Sequence, residues 1–392
     1  MNIAWLYEKS LYRDIGGTER ATMLNIDMLN KLGHSNFAYI IINREKDSVS
    51  FEDKPIEDLY SFLKKNKIDI VINQIGYSCY LLKRFKELGG DKWQQEGGKI
   101  ITYMHFDPKM NSDLDFFLSI ENKTLRNYIT ILKLYILKPY YTRKENKKYQ
   151  DIYKYLYENS DYYVTLSHTH FPYLISLLGT DYGNKLYAIN NTLTFDNISN
   201  TEILKEKEKS VIIVARMSEI HKRILTAIKA WKEIQKDPQY NEWTFKIIGN
   251  GPDLERYKKY VSKNNIKRIS FEGEQDPEPY YTKASLFLMT SPAEGWGLTL
   301  TESLQRGVVP IVMNSSPVFS EIIEDNVCGI LVENNNIKQF IKSIKHLMDN
   351  EEKRIEFAKK CLDRAKLFCR ENTQDKWNIL INKIKPSNSN RL

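Results

Sequence analysis

Short apolar runs separated by segments of helical spacing recur along most of this chain, and that pattern constrains its fold more than any other feature. In the first half the runs are Ile3–Leu6, Phe37–Ile42, Ile68–Asn73, Ile100–His105, Tyr162–Leu166 and Leu186–Ile189. Segments such as Glu19–Leu32 and Ile56–Lys64 lie between them and place apolar residues three and four apart. A strand buried on both faces reads as a short continuous apolar run, and strand–helix alternation builds a parallel sheet with helices on both sides. The pattern stops at Phe195–Ser210 (FDNISNTEILKEKEKS), which is polar and becomes charged, and reads as a linker. A second series then begins, with strands expected at Val211–Ala215, Thr244–Ile248, Ile269–Phe271, Leu286–Met289, Val309–Val312 and Gly329–Val332. The expectation is an α/β chain of two doubly wound domains, residues 1–200 and 201–374, with ligands bound outside the carboxyl ends of the strands.

Composition narrows the function classes. At 392 residues two domains are the natural expectation, and such a chain buries a large core without disulfides. The four cysteines, Cys79, Cys328, Cys361 and Cys369, follow no metal spacing and suggest no disulfide framework, which fits a reducing compartment. The start, MNIAWLYEKS, lacks the apolar core of a signal peptide, and no stretch of about 18 apolar residues occurs. A cytoplasmic protein, soluble or peripheral on a membrane, is expected. The net charge of +8 is too small an excess to argue for nucleic acid, and no nucleic-acid reading motif accompanies it. One region breaks the alternation. Lys123–Tyr157 carries nine Lys or Arg against two acids, interleaved with tyrosines and with Leu125, Ile129, Leu132 and Ile136 at helical spacing. It reads either as an anionic-membrane contact or as a helix packed on the first domain with solvated lysines.

Candidate site residues follow strands. Gly16-Gly17 opens a helix after the first strand, where backbone amides favour an anion. His105 ends the fourth strand and suits a hydroxyl contact. Asp113-Leu114-Asp115 has the form of a metal-binding DxD, but Ser112 and Asp115 make a capping box that explains it without a metal. In the second half Arg216 follows VIIVA, with Lys222 and Arg223 six and seven residues later, a cationic loop suited to a diphosphate. Gly249-Asn250-Gly251-Pro252 follows the next strand, and Gly273-Glu274 the one after. Finally, SPAEGWGLTLTE places Glu294 in a loop and Glu302 in the first turns of a helix, with seven residues between them. Gly295 and Gly297 bracket Trp296 and leave amides accessible at the helix start.

Taken together, these residues resemble the retaining glycosyltransferases of the GT-B fold, in particular glycosyltransferase family 4. The E-x7-E pattern from Glu294 to Glu302 is its most specific mark. Arg216 with Lys222, GNGP, Gly16-Gly17 and His105 fit around it, over a span that is densest from about Val211 to Val332. The resemblance implies two Rossmann-like domains facing across a cleft, with a last helix (residues 375–392) crossing back near Trp377. It implies that Glu302 holds the ribose hydroxyls and Glu294 the donor sugar. Arg216 and Lys222, aided by amides over Gly297, Leu298 and Thr299, would neutralise the diphosphate. His105 would contact the sugar near O6, and Gly17 would admit the diphosphate or acceptor. Gly249, Gly251, Glu274, Gly295 and Trp296 would complete the donor surroundings. No metal and no cofactor are expected.

The sequence departs from the family in three places, the mildest being RGVVPIV in place of a shorter G-x-P form. The basic pair is one residue wider than usual, so Lys222 and Arg223 could exchange roles. NSSPVFSEII stands where relatives carry a glycine-rich loop, so Ser315, Ser316 and Ser320 would offer hydroxyls instead. The expected reaction moves a hexose from a nucleotide diphosphate sugar, UDP-hexose first and GDP-mannose second, to a cell-surface glycan or lipid-linked saccharide by same-face attack. A nucleotide-sugar epimerase and a non-catalytic transferase-like binding protein are the alternatives.

Overall fold

Strands within a few residues of those expected build two sheets, one in each of two units. The computed structural model describes residues 1–8, 16–43, 48–51, 54–109 and 136–384. One unit runs from Asn191 to Asn372, and the other holds the chain before Asn191 together with its end from Thr373.

The first unit contains, in order, β1 (Asn2–Tyr7), α1 (Gly17–Lys31), β2 (Ser35–Asn43), β3 (Ser48–Phe51), β4 (Lys54–Pro55), α2 (Leu59–Lys65) and β5 (Ile70–Asn73). After these come α3 (Tyr80–Phe85), α4 (Asp91–Gln95), β6 (Lys99–Met104), α5 (Lys138–Glu158), β7 (Tyr162–Thr165), α6 (Phe171–Leu178) and β8 (Leu186–Ala188). The sheet order is β4-β3-β2-β1-β5-β6-β7-β8. All pairings are parallel except β2–β3 and β3–β4. The antiparallel edge was not foreseen, because SVSF and KP carry no apolar run and are only half-buried or exposed. The four residues of β5, IVIN, are all buried, as a central parallel strand requires. Ser112, Asp113 and Asp115 lie outside the described residues, as does the first part of Lys123–Tyr157.

The second unit holds β9 (Ser210–Val214), α7 (Glu219–Lys222), α8 (Ile224–Ile234), β10 (Thr244–Ile248), α9 (Leu254–Lys263), β11 (Ile269–Gly273), α10 (Glu278–Lys283) and β12 (Leu286–Met289). It continues with α11 (Leu298–Gln305), β13 (Val309–Asn314), α12 (Val318–Ile322), β14 (Ile330–Glu333), α13 (Ile337–Asp349) and α14 (Glu351–Ala365). Its sheet, ordered β11-β10-β9-β12-β13-β14, is wholly parallel. Counted within the unit this is the doubly wound order 3-2-1-4-5-6, which reverses between its first and fourth strands, here β9 and β12. The core packs α8 on the sheet, with the Trp231 ring 5.5 Å from that of Phe245.

The units divide at Asn190/Asn191, ten residues before the expected boundary at 200/201. The cause lies at the end of α11. The Gln305 amide donates to the carbonyls of Phe195 and Asn197 at 3.1 and 3.2 Å and accepts from the Phe195 N–H. Buried Arg306 donates to Asn197 O at 2.7 Å and stacks over Phe195, its guanidinium carbon 4.6 Å from the ring centre. The polar linker is therefore fixed to the second unit. A last helix, α15 (Arg370–Ile384), returns the chain to the first unit. There Trp377 is fully buried, edge-on to Trp5 and Tyr103 at 6.2 and 5.5 Å, with its indole N–H on Asn25 Oδ1 at 3.2 Å.

Candidate active site

The strand reversal in the second unit leaves a crevice at the carboxyl ends of β9 and β12, and both loops singled out in the sequence emerge there. Ala215, Lys222, Thr290, Ser291, Glu294 and Thr299 line this recess. Lys222 Nζ lies 2.5 Å from Glu294 Oε1, with side chains 28% and 14% exposed. Residues 72 positions apart thus meet as an ion pair in a partly dry site, where a charge pair is screened less than on the surface. Arg216 is exposed, and its guanidinium has no hydrogen bond or ion pair among the described residues. His221, between the two cations, is held below its ordinary pKa by burial first and then by Lys222 and Arg216, with Glu294 opposing.

Glycine has a different use at each position. Gly297 caps α11 at φ 91°, a left-handed conformation that disfavours a side chain, and the first N–H groups of the helix follow it. Those of Leu298 and Thr299 precede the Leu300 N–H, which is the first to turn back to Gly297 O, at 2.9 Å. Gly249 and Gly251 are shaped by backbone packing. A Cβ on them would lie 2.1 Å from Ala215 O and 2.5 Å from Met217 O, so these glycines let the turn press on the loop that carries Arg216. Met217 N–H donates to Asn250 O at 2.7 Å and completes that contact. This packing on the loop that carries Arg216 is what the structure requires of the two glycines.

Other expected residues also fall elsewhere. The Arg223 guanidinium is bound to the carbonyls of Thr290 and Ser291 and to Asn334 and Asn335, so the cation lining the recess is Lys222. Glu274 is exposed after β11, an edge strand two places from β9. Trp296 turns into the core, 2% exposed, with its ring 5.4 Å from that of Phe368. Gly295 beside it is buried. Glu302, 1% exposed on α11, accepts from Thr194 Oγ1 at 2.9 Å. Thr194 was not anticipated, and nothing in its local sequence marks it. The serines that replace the glycine-rich loop brace the site. Ser315 Oγ donates to Ser291 O at 2.6 Å and Ser316 Oγ to Glu294 O at 3.0 Å, while Ser320 Oγ turns to Pro317 O at 2.8 Å.

In the first unit, Gly16 caps α1 and Gly17 is its exposed first residue. A Cβ on Gly16 would lie 2.6 Å from Glu19 Oε2, the end of a flexible side chain folded over the helix start, so a larger residue there would have to displace that carboxylate. His105 is buried just after β6, with Nε2 2.7 Å from Gln74 Oε1, which also accepts from Thr22 Oγ1 at 2.9 Å. Since that oxygen can only accept, the proton of His105 belongs on Nε2 and leaves Nδ1 as an acceptor. Burial pushes the imidazole down to about 3, against a smaller upward pull from Glu19, so the ring is neutral.

Residues 194–364 match the family described as glycosyl transferases group 1. This segment is a group 1 glycosyl transferase domain. Similar proteins include the poly(glycerol-phosphate) alpha-glucosyltransferase of Bacillus subtilis (strain 168), 28% identical over 181 residues, 46% of this chain and 26% of that one. The poly(ribitol-phosphate) alpha-N-acetylglucosaminyltransferase of Staphylococcus aureus (strain COL) is 29% identical over 204 residues, 50% of this chain and 40% of that one. The chain spans between about a quarter and about half of the length of the first curated relatives it matches. Among solved structures, an Anabaena protein in complex with UDP and glucose superposes with a TM-score of 0.66 at 15% identity, covering 98% of this chain and 100% of that one. The glycosyl transferase domain and the unit before it thus have the Rossmann-like α/β architecture of the GT-B fold.

Proposed function

We propose that the chain is a retaining, metal-independent hexosyltransferase that uses a nucleotide diphosphate sugar. The observation that carries this is the Lys222–Glu294 pair at the β9/β12 crevice, with uncommitted Arg216 beside it and the start of α11 behind. In this reading the diphosphate draws Lys222 and Arg216 to itself. Glu294, released from Lys222, turns to the sugar hydroxyls, and Glu302 holds the ribose.

As the bond from the anomeric carbon to phosphate breaks, negative charge grows on the leaving oxygen. Preorganised cations and helix amides stabilise it without moving. The acceptor hydroxyl attacks on the same face, and its proton passes to the departing phosphate oxygen.

UDP-hexose is the favoured donor and GDP-mannose the second. The UDP and glucose in the Anabaena protein support the first. The acceptor proposed is a cell-surface glycan or a lipid-linked saccharide, in keeping with the polymers named for the Bacillus and Staphylococcus relatives. A cytoplasmic place, peripheral on an anionic membrane through residues 123–157, goes with that acceptor. Within the described part of this segment Ile136, Leu137 and Tyr140 are exposed, ahead of Arg143, Lys144, Lys147 and Lys148 on α5. No helix among the described residues is long and apolar enough to cross a membrane.

A thermal-shift panel of nucleotide sugars tests the reading. A donor at 100 times its Kd stabilises the fold by about 2.7 kcal/mol, and the shift should persist in EDTA. No shift with any UDP- or GDP-sugar would overturn it.

A further inference from the structure

Arg223 has the chemistry of a phosphate ligand but does other work. Its backbone is left-handed, φ 46° and ψ 40°, at the junction of α7 and α8. Its side chain reaches the residues that follow β12. Nε donates to Thr290 O at 2.9 Å and Nη2 to Ser291 O at 3.1 Å. The outer nitrogens reach Asn335 Oδ1 at 2.5 Å and Asn334 Oδ1 at 2.9 Å, on the loop after β14. Thr290 answers from the other side. Its buried hydroxyl has one proton to share between Lys222 O at 2.9 Å and Arg223 O at 3.0 Å. The loop after β9, the loop after β12 and the loop after β14 are thereby joined through one side chain and one hydroxyl.

We infer that Arg223 and Thr290 form a latch that holds the Lys222 loop against the Glu294 loop, which makes both positioning residues for the diphosphate site. The inference rests on the donor-site reading above. The ammonium of Lys222 sits at the end of a flexible stem, and its reach depends on where its backbone is held. The latch grips the Lys222 carbonyl directly. It grips the chain at Thr290 and Ser291, four and three residues before Glu294. Ser315 donates to the same Ser291 carbonyl and Ser316 to that of Glu294, so the far loop is braced where the latch pulls. A guanidinium can serve four acceptors in one plane, whereas an ammonium cannot reach all of them.

The test uses the full chain, with UDP and UMP as probes in calorimetry. The ratio of their affinities isolates the grip on the second phosphate, which loss of stability alone does not alter. Arg223→Ala and Arg223→Lys should each narrow the UDP-over-UMP preference about tenfold. Thr290→Val, nearly isosteric, should narrow it several-fold and serves if the arginine variants do not fold. In a Lys222→Ala background, Arg223→Ala should change the ratio less than twofold, because the latch acts through Lys222. If the losses multiply, or if Arg223→Lys keeps the wild-type ratio, Arg223 grips phosphate itself and the latch is wrong. If wild type binds neither UDP nor GDP, the donor reading fails separately, and amide hydrogen exchange of the ligand-free chain decides the latch. Faster exchange in both 215–223 and 290–297 in Thr290→Val supports it, and unchanged exchange in either loop overturns it.

Discussion

Lys222 and Glu302 do different work in the proposed site, and their removal should leave different signatures. Lys222→Ala deletes a cation whose value rises as the leaving phosphate gains charge, so kcat should fall about a hundred- to a thousandfold. Glu302→Ala removes the proposed ribose ligand and should act on donor KM as well as on rate. Circular dichroism and Tm should confirm that both variants fold, and near-normal turnover in both would remove the site assignment. A second residue-scale prediction concerns acid. His105 is neutral in the fold down to about pH 3 but ordinary, near 6.5, when unfolded. Between those values the unfolded chain binds the extra proton, so stability falls as pH drops below about 6.5 and is flat above it. At pH 5 the loss from this residue is on the order of 2 kcal/mol. Denaturant titrations of wild type and His105→Gln at pH 5 and 7.5 should show the variant losing less. Sequence reached the ion-pair partners, because cations and carboxylates after strands are visible in one dimension. It did not reach Thr194 or Thr290, whose hydroxyls matter through contacts 108 and 67 or 68 residues away.

At the level of elements, what was legible followed burial. Every central strand announced itself as an apolar run, since parallel strands are covered on both faces. The edge hairpin of β3 and β4 did not, because half-exposed residues leave no run to read. The loops were harder. GNGP was visible as a tight turn after a strand, yet whether its glycines met a ligand or a neighbouring loop could not be told without the fold. The structure gives a sharp expectation. Gly251→Ala puts a Cβ about 2.5 Å from Met217 O, a backbone atom that cannot swing aside, at a φ of 157°. The loop carrying Arg216 must move. Stability should drop by about 1–3 kcal/mol, and UDP affinity should fall as the loop carrying Arg216 is displaced. A variant with wild-type Tm and wild-type UDP affinity would show that the turn does not shape that loop.

For the whole molecule, two features of the chain's course matter. The doubled alternation specified two units, but their boundary was misplaced by ten residues, because a polar stretch reads as a linker even when Gln305 and Arg306 hold it fast. The returning helix rests on one large side chain. Trp377 buries its whole indole between Trp5 and Tyr103 and satisfies its N–H on Asn25, so it ties the returning helix to β1, β6 and α1. Trp377→Ala leaves a cavity and an unpaired amide, at a cost of about 3–5 kcal/mol. Trp377→Phe keeps much of the volume and should recover a large part of that. The membrane proposal belongs to the same scale, since it concerns a face and not a single contact. Neutralising Lys144, Lys147 and Lys148 with glutamine should weaken flotation with phosphatidylserine vesicles by roughly 1 kcal/mol per lysine near the surface, and raising salt should weaken the wild type in the same way. The three lysines are exposed, so this change leaves the fold intact and isolates the surface term. Flotation that is unaffected by both the substitutions and salt would place the contact elsewhere on the chain.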